Sequence, residues 1–537
     1  MNSGQIQDGT IKSRFMFLVP SIGAFLFVCL FLILSLMKSN WLLEDGDTGY
    51  HIRTGEYILR THEVPKFDIF SYTVPPMPWT AHEWLSEVVM ALVHKVSGLT
   101  SIVVFFAAVI SLIYYLQFRM LKAGGASPAV NITVVLLAMT SSEVHWLARP
   151  HIFTLLFTLI WYWLVNEYQY NGKKYLYATP LLMLLWVNFH GGYIIGFVIS
   201  GIYLACNALR SLYAEGGEKS IYLEKTKTLA VLTALALLAA LANPRGYNIL
   251  LFPFRVAMNK SIVNNVVEFL SPNFHQSMPF RYMLFLMIAV FAASRRRLDL
   301  IEISLVIFFT SMALDAIRYI PLFAIITAPI IAKQADAVLD GSDGLPARFI
   351  KNRSMHLSVA DKSARGVFWP ALAILFVCYL MLTGRIEYGV NAKIRPVAAV
   401  EFLKKVDLKG NMFNNDEFGD YIDYVAWPQY KIFFDGRSDM FGEKRMKEYY
   451  KVAMIKPGWE DVLKKYDINW IFFDADSIIC RHLLVLNDWK LVYADKVADI
   501  FVRNTPGNQD IINKYGQAAE NALAMINRQS GAPSGAK

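Results

Sequence analysis

The sequence predicts an α-helical polytopic membrane protein with about 11 transmembrane helices and a small C-terminal extracytoplasmic α/β domain. Of its 537 residues, 55% are hydrophobic and 18% are charged, and the mean hydropathy is +0.36. This composition is typical of multi-span membrane proteins rather than of soluble enzymes. The net charge is +9, but the basic residues lie in short loops between apolar runs. We therefore interpret that charge as a topology signal and predict no nucleic-acid partner.

The apolar runs define the predicted spans, since a helix needs about 20 apolar residues to cross the hydrocarbon core. The runs lie near 15–37, 100–118, 128–147, 151–167, 175–189, 192–213, 228–243, 281–294, 300–317, 319–334 and 367–384. Polar residues and a proline interrupt the stretch from 300 to 334, which we divide into two spans.

Basic residues occupy every second gap between these spans, as the positive-inside rule expects. They are Lys12, Arg14, Arg119, Lys122, Lys173, Lys174, Arg210, Lys219, Lys225, Lys227, Arg295, Arg296 and Arg297, followed in the 335–366 connection by Arg348, Lys351, Arg353, Lys362 and Arg365. The alternation predicts a cytoplasmic N-terminus and an extracytoplasmic C-terminal domain. The first run lacks a small-residue cleavage site and is interpreted as a retained span.

The long external loop 38–99 contains the main acidic motif. Asp45 and Asp47 form a D-x-D pair just beyond the first span. Such carboxylates can bind Mg²⁺ or Mn²⁺, or remove a proton from an acceptor. The alternative is that Asp and Gly only turn the chain out of a helix. His51 is a further ligand or phosphate contact, or a structural histidine.

A second motif in this loop is His82-Glu83-Trp84. His82 and Glu83 can supply another acid or base or orient an acceptor, and Trp84 suits stacking against a sugar. The alternative is the first turn of an interface helix over 83–96, where a glutamate favours the helix dipole.

Basic residues on the same predicted face are candidates for binding a lipid phosphate. Arg149, Arg245 and Arg318 can each hold a phosphate or diphosphate by two hydrogen bonds, or simply anchor the chain at the interface. The other polar residues of this face that we include as substrate-binding candidates are His151, Asn188, His190 and Glu268. Ionisable groups near the hydrocarbon are costly and usually mark function. The loop 244–280 is a candidate lid or lipid-facing flap.

Beyond the last span, strands and helices alternate, which indicates an α/β domain. Helices are predicted over 397–406, 418–427, 443–454 and 459–466, and strands over 411–414, 431–435, 469–474, 489–493 and 497–502. The last two strands are predicted to form a closing hairpin. The predicted domains are a membrane module 1–384, the α/β domain 385–505, and a C-terminal helix with a disordered tail 506–537. Asp435–Asp439 follows a predicted strand and is interpreted as a structural turn, with ligand binding as the alternative.

Several motifs together resemble a largely uncharacterised bacterial group within the GT-C superfamily of polytopic glycosyltransferases, which use polyprenyl-phosphate-linked sugars. They are DTGYHIRTGE at 47–56, FDIFSYT at 67–73, WTAHEW at 79–84, WVNFHGG at 186–192 and FFDGRSD at 433–439. The resemblance implies sugar transfer at the outer face of the bacterial inner membrane. In that superfamily an external aspartate activates the acceptor or works with a divalent cation, which implies such a role for Asp45 or Asp47. A WWD-type acceptor motif is not evident, so Asn-linked protein glycosylation is not predicted.

The sequence thus predicts a membrane glycosyltransferase that displaces a lipid phosphate with inversion. Asp47 or Asp45 would act as base or as ligand of Mg²⁺ or Mn²⁺, with Glu83 and His82 beside it. The arginines would stabilise the departing phosphate. The acceptor, a protein, lipid or glycan, would be bound by the α/β domain. The alternative is a non-enzymatic glycolipid or polysaccharide translocation or assembly protein.

Overall fold

The computed structural model describes residues 18–37, 39–72, 76–364 and 366–529. The protein is mostly helical, at 71%, with a small sheet near its C-terminus. This confirms the predicted fold class in outline. Three parts of the sequence predictions lie outside the described residues: the charges of Lys12, Arg14 and Arg365, the start of the span 15–37, and the tail 530–537.

The N-terminal half of the chain consists of helices joined by short turns. The helices are α1 (Ile22–Leu32, continued by a π-helical turn Ile33–Met37), α2 (Thr48–Thr61), α3 (Trp84–Ala123), α4 (Pro128–Ser142), α5 (His151–Asn171), α6 (Thr179–Phe189), α7 (Ile194–Tyr213) and α8 (Gly216–Ala240).

The second half adds further helices and the sheet. The elements are α9 (Asn248–Met258), α10 (Lys260–Asn265), α11 (Pro279–Ala293), α12 (Leu300–Asp315), α13 (Ile320–Asp340), α14 (Leu345–Ser363), α15 (Trp369–Leu382), α16 (Val397–Val406), β1 (Asn411–Asn414), α17 (Asp416–Val425), α18 (Ser438–Ala453), α19 (Trp459–Lys465), β2 (Ile468–Asp474), α20 (Ile478–Leu483), β3 (Trp489–Ala494), β4 (Ala498–Arg503) and α21 (Gln509–Gln529).

Each predicted span coincides with a helix. Among the described residues, three helical stretches are long and apolar enough to cross a membrane, namely Trp84–Ala123, Gly191–Tyr213 and Ile317–Asp340. Shorter apolar helices include Ile22–Met37, Pro279–Ala293 and Trp369–Leu382. The number of membrane crossings, about 11, stays a prediction.

Two breaks in these helices follow from local sequence. Helix α3 is broken at Ser97 and Gly98, where Gly98 has a φ of 59°, a conformation that glycine adopts without strain. The predicted interface helix and the span after it are therefore the two parts of α3. The predicted division of 300–334 is also confirmed, because α12 ends at Asp315 and α13 begins with Pro321 in its first turn.

The described residues form two compact units. The first comprises the residues up to Leu42 with Val96–Arg255 and Asn264–Tyr388, and the second comprises Leu43–Lys95, Val256–Val263 and the residues from Gly389 onward. Most of the loop 38–99, from Leu43 to Lys95, thus belongs to the same unit as the C-terminal α/β region. The predicted domain limits stay a prediction.

Helices of the first unit pack through aromatic side chains and buried polar pairs. Trp161 on α5 is almost fully buried and donates from its indole to the hydroxyl of Ser200 on α7 at 3.1 Å. Nearer the C-terminal ends of the same two helices, the side-chain amide of Gln169 donates to that of Asn207 at 3.0 Å, and the amide of Asn207 donates back at 2.9 Å. Each buried polar group has a partner here, so the pairs fix the register of α5 against α7.

In the second unit the sheet has the order β1-β2-β4-β3. Strands β1 and β2 are parallel, whereas β4 pairs antiparallel with both β2 and β3. The predicted C-terminal hairpin is confirmed. The predicted strand 431–435 is wrong: Ile432 forms a single bridge to Ser71. The side-chain amide of Asn414 takes the next backbone groups of this segment, Phe433 N–H at 2.8 Å and Phe434 C=O at 2.7 Å, so no ladder continues.

Candidate functional site

The predicted catalytic aspartates lie at the start of α2, in the second unit. Asp47 precedes the helix, and its backbone N–H donates to Oδ1 of Asp45 at 2.8 Å. This bond closes a small turn of the kind that aspartate commonly makes. The side chain of Asp47 is almost fully buried, at 7% exposure. One oxygen of Asp45 therefore shapes the turn, and Asp47 faces the protein interior.

Asp47 meets a second carboxylate, Asp420 on α17, beside Gly436. The N–H of Gly436 donates to Oδ1 of Asp420 at 3.0 Å. A methyl group on Gly436 would lie 2.1 Å from Oδ1 of Asp47 and 3.2 Å from Oδ2 of Asp420. Only glycine lets both carboxylates approach the backbone this closely. Burial, followed by the charge of Asp47, raises the pKa of Asp420 well above its usual range.

A buried arginine stands next to this pair. Arg437 donates from Nε to Asp435 and from Nη1 to Asp68, both at 2.8 Å. Its guanidinium lies 4.8 Å from the ring centres of Phe70 and Trp79. Burial works against the charge on Arg437, but the two carboxylates outweigh it and raise its pKa well above the ordinary value. The arginine is therefore a fixed cation in an aromatic cage.

Asp423 completes the group that we call the carboxylate cluster, which consists of Asp47, Asp68, Asp420, Asp423 and Asp435 around Arg437. Asp423 has no exposed surface. Within the part of the chain that the structure describes, neither of its oxygens has a hydrogen-bond donor. Burial, followed by the charge of Asp435, raises its pKa well above the usual range. Its protonated form is favoured, since it can then donate to Asp435.

Histidine and glutamate side chains of the loop 38–99 form a further group of polar contacts, which we call the polar row. His51 lies 3.2 Å from Glu87 through Nδ1 and 3.8 Å from Glu83 through Nε2. His82 lies 3.4 Å from the other oxygen of Glu83. The structure thus brings the predicted residues His51, His82 and Glu83 together, with Trp84 at the first position of α3. Glu87, which is buried, was not predicted.

The carboxylate chemistry can be compared with the predicted divalent cation. The described residues contain no group of three or more His, Cys, Asp or Glu side chains placed to hold a metal ion. Mg²⁺, however, often takes only one or two carboxylates and completes its shell with water and substrate phosphate. Asp47 and Asp420 have suitable oxygen donors for that mode, and a bound cation would offset their mutual repulsion. That Asp45 and Asp47 together bind a divalent cation stays a prediction.

The first unit contains a separate group of basic residues. We call His145, Arg149 and Arg318 the basic cluster. All three surround one carboxylate, that of Glu268. Arg318 lies 3.0 Å from it, and Arg149 and His145 each lie 3.8 Å from it. Burial opposes ionisation of Glu268, but the charges of Arg318 and Arg149 outweigh it and lower its pKa to about 2. Residues from three distant loops therefore form one anion-binding group.

Two predicted histidines lie near this cluster. Nε2 of His151 is 2.9 Å from the carbonyl oxygen of His145, and their rings are 4.2 Å apart. Nδ1 of His190 accepts from the N–H of Gly192 at 2.9 Å and lies 2.7 Å from the hydroxyl of Thr154. A ring nitrogen that accepts a hydrogen bond carries no proton, so His190 has its proton on Nε2 when neutral.

Asn188 and Arg245 were also predicted to bind substrate, and each makes contacts that stabilise the fold. Asn188 donates to the carbonyls of Leu184 and Ala242 at 2.9 and 3.0 Å, which ties the end of α6 to the end of α8. Arg245 stacks on the ring of Phe252 at 4.8 Å. These contacts match the structural alternatives for both residues and leave their substrate roles as predictions.

Sequence reasoning missed part of each group. Asp420 and Asp423 are three positions apart on a predicted helix, so they share one face, and that spacing was the available signal. Asp68, Asp435 and Arg437 stand inside two of the quoted motifs, but the sequence does not show that these motifs meet. His145 was not among the predicted site residues.

The chain resembles solved structures in its fold. The chain is similar to the archaeal oligosaccharyltransferase AglB from Archaeoglobus fulgidus, solved in complex with an inhibitory peptide and a dolichol-phosphate; the TM-score is 0.53 and the identity 12%, over 84% of this chain and 69% of that one. ArnT from Cupriavidus metallidurans matches with a TM-score of 0.41 and 12% identity, over 88% and 97%. No family model and no curated protein sequence matches the chain. The likeness to AglB is a likeness of fold, and it agrees with the predicted fold class.

Proposed function

We propose that this protein is a membrane glycosyltransferase that transfers a sugar from a polyprenyl-phosphate-linked donor to an acceptor at the outer face of the bacterial inner membrane. The observation that carries the proposal is the basic cluster. His145 and Arg149 come from one loop and Arg318 from a distant one, and all three converge on a single carboxylate. Groups arranged in this way bind phosphate well, because arginine offers paired donors to its oxygens. The dolichol-phosphate in the AglB complex supports a lipid phosphate as the ligand class.

The proposed reaction is a single displacement with inversion. The acceptor hydroxyl loses its proton to Asp47 and attacks the anomeric carbon of the sugar. The bond between that carbon and the phosphate oxygen breaks, and its electron pair stays with the polyprenyl phosphate. Negative charge develops on the leaving phosphate, where Arg149 and Arg318 stabilise it. A divalent cation, when bound by Asp47 and Asp420, would supply further charge neutralisation.

The remaining residues support these roles. Glu83 and His82 orient the acceptor, and His51 fixes Glu83 through the polar row that also includes Glu87. The α/β region contributes Asp420 to the carboxylate cluster and is proposed to bind the acceptor. We further propose about 11 membrane crossings, with the N-terminus in the cytoplasm and the C-terminal domain outside.

The test uses purified protein with polyprenyl-phosphate sugars extracted from a bacterial membrane and an acceptor extract. Release of free polyprenyl phosphate is followed with and without Mg²⁺ or Mn²⁺, for wild type, Asp47→Asn and the exposed control Asp315→Asn. We expect release by wild type and Asp315→Asn, and a loss of about 100-fold or more in Asp47→Asn. Tight binding of the lipid without release, unchanged by Asp47→Asn, would instead support the translocation or assembly alternative.

A further inference from the structure

Glu268 belongs to a short segment that is docked on the loop before α13. The N–H of Ile317 donates to the carbonyl of Leu270 at 3.0 Å, and the hydroxyl of Ser271 donates to the carbonyl of Asp315 at 3.2 Å. The guanidinium of Arg318 lies 4.3 Å from the ring centre of Phe269. Residues 267–271 are therefore held by a few local bonds, and we call them the docked segment.

The docked segment places the carboxylate of Glu268 against the basic cluster. Glu268 has 20% of its side chain exposed, as do Arg149 at 20% and Arg318 at 21%. These three side chains are therefore partly exposed, so an anion can approach the group from outside the fold.

Three basic side chains face the carboxylate of Glu268. Arg149 and Arg318 are always cationic, and His145 adds a positive charge when it is protonated. A carboxylate and a phosphate group both present oxygens that accept paired hydrogen bonds from arginine. The phosphate group of a lipid can therefore take the position that the carboxylate of Glu268 fills.

We propose that Glu268 is an internal anion that fills the phosphate position of the basic cluster, and that the phosphate of the lipid ligand replaces it and frees the docked segment. The inference rests on the proposed function and adds a step to it. Exchange of one anion for another leaves the arginines paired in both states, so neither state exposes an uncompensated charge. The loop that carries Glu268 acts as a cover over the site until the lipid arrives.

A different role for Glu268 makes the opposite prediction. If Glu268 served to hold Arg149 and Arg318 in place for the ligand, its removal would weaken phosphate binding. If it competes with the ligand, its removal strengthens binding. The sign of the change in affinity therefore separates the two roles.

The experiment measures binding of farnesyl phosphate, a short polyprenyl monophosphate, to the purified full-length protein in a non-ionic detergent. The variants are Glu268→Gln and the control Asp315→Asn. Asp315 is an exposed carboxylate three positions from Arg318, and among the described residues its side chain forms no ion pair. We expect Glu268→Gln to tighten binding by about tenfold or more, since a charge-assisted competitor is lost. Asp315→Asn should leave the affinity within about twofold of wild type.

A second measurement needs no variant. Hydrogen exchange of the wild-type backbone over 267–271 should speed up when farnesyl phosphate saturates the protein. Inorganic phosphate at high concentration should cause the same change if the phosphate group alone is recognised, and farnesol should cause none. An increase with farnesyl phosphate but not with inorganic phosphate shows that the lipid chain contributes to the exchange, which also supports the inference.

Three results would overturn the inference: weaker or unchanged binding in folded Glu268→Gln, unchanged exchange at 267–271 in the saturated wild type, or no binding of farnesyl phosphate by any variant. The proposed function has a separate readout, the release of polyprenyl phosphate from a sugar donor. If Glu268→Gln binds farnesyl phosphate more tightly but the wild-type protein never releases polyprenyl phosphate, the anion exchange is supported and the transferase function is contradicted.

Discussion

The guanidinium of Arg437 donates to the carboxylate of Asp68 at 2.8 Å, although the two residues are 369 positions apart. Both side chains are about 1% exposed. The contact joins the motif FDIFSYT of the loop 38–99 to the motif FFDGRSD of the α/β region, two motifs that seemed unrelated along the sequence. The turn interpretation of Asp435–Asp439 is thus incomplete, because this turn also supplies the central cation of the carboxylate cluster.

Removal of that cation should strongly destabilise the second unit. Arg437→Met keeps most of the volume but leaves Asp68 and Asp435 buried without their partner. Breaking a buried ion pair in this way typically costs about 3–5 kcal/mol. The free energy of unfolding, followed by tryptophan fluorescence in detergent, should fall by that order. The exposed control Arg481→Met should change it by less than about 0.5 kcal/mol. Equal effects of the two variants would show that the buried pair is not special.

The sequence was a good guide to elements whose cause is local. Apolar runs of span length coincide with helices, and Asp315 with Pro321 divided one long run at the position that the structure shows. The hairpin of β3 and β4 was likewise predicted from two short apolar runs around a turn. Periodicity and turn residues act over a few positions, so they can be recognised in a single sequence.

The rest depends on contacts between distant parts of the chain. The segment 431–435 has the composition of a strand, but the amide of Asn414 takes its hydrogen bonds. The sequence does not show that Asp420 lies beside Asp47. Their carboxylates come together only because Gly436, which has no side chain, lies between them. Arg149 and Arg318 of the basic cluster were predicted to lie on one face. Glu268 as its shared partner depends on tertiary structure.

Two glycine substitutions should separate function from folding. A methyl group on Gly436 would meet the carboxylate of Asp47 at 2.1 Å, and the carboxylate can rotate away. A methyl group on Gly419 would meet the backbone oxygen of Phe434 at 2.2 Å, which cannot move without the chain. We expect Gly436→Ala to reduce polyprenyl-phosphate release by about tenfold or more with nearly unchanged Tm, since small displacements of a reacting group are costly. Gly419→Ala should lower the Tm clearly.

The comparison is made on the same preparations, with Tm from tryptophan fluorescence and release under saturating donor. If Gly436→Ala lowered the Tm as much as Gly419→Ala, the loss of activity would carry no information about Asp47. Retained activity in a folded Gly436→Ala variant would contradict the placement of Asp47 in the reaction.

Asp423 should make stability depend on pH. Its folded-state pKa is raised by burial and by Asp435, whereas the unfolded value is about 3.9. A raised pKa means that its contribution is fully present below about pH 4 and is lost as the pH rises through the folded value. Asp423→Asn can still donate to Asp435 and carries no charge. The variant should therefore gain at least about 1 kcal/mol over wild type near neutral pH and little near pH 4.

Unfolding of both proteins between about pH 4 and pH 8 checks this. The exposed Asp461→Asn in the same unit is the control and should follow the wild-type curve. A constant difference between Asp423→Asn and wild type at all pH values would mean that the substitution changes packing rather than the cost of ionisation.

The two aspartates of the D-x-D pair should differ in their sensitivity to substitution. Oδ1 of Asp45 accepts the N–H of Asp47 at 2.8 Å, and the amide oxygen of an asparagine can accept the same bond. Asp45→Asn should therefore keep the turn and retain release of polyprenyl phosphate within about tenfold of wild type. Asp47→Asn keeps the shape but cannot take a proton, so its release should fall by about 100-fold or more. Asp45→Ala removes the acceptor and should lower the Tm, which Asp45→Asn should not. A loss in Asp45→Asn as large as that in Asp47→Asn, with both variants folded, would make both carboxylates part of the reaction and favour a cation held by the pair over a single base.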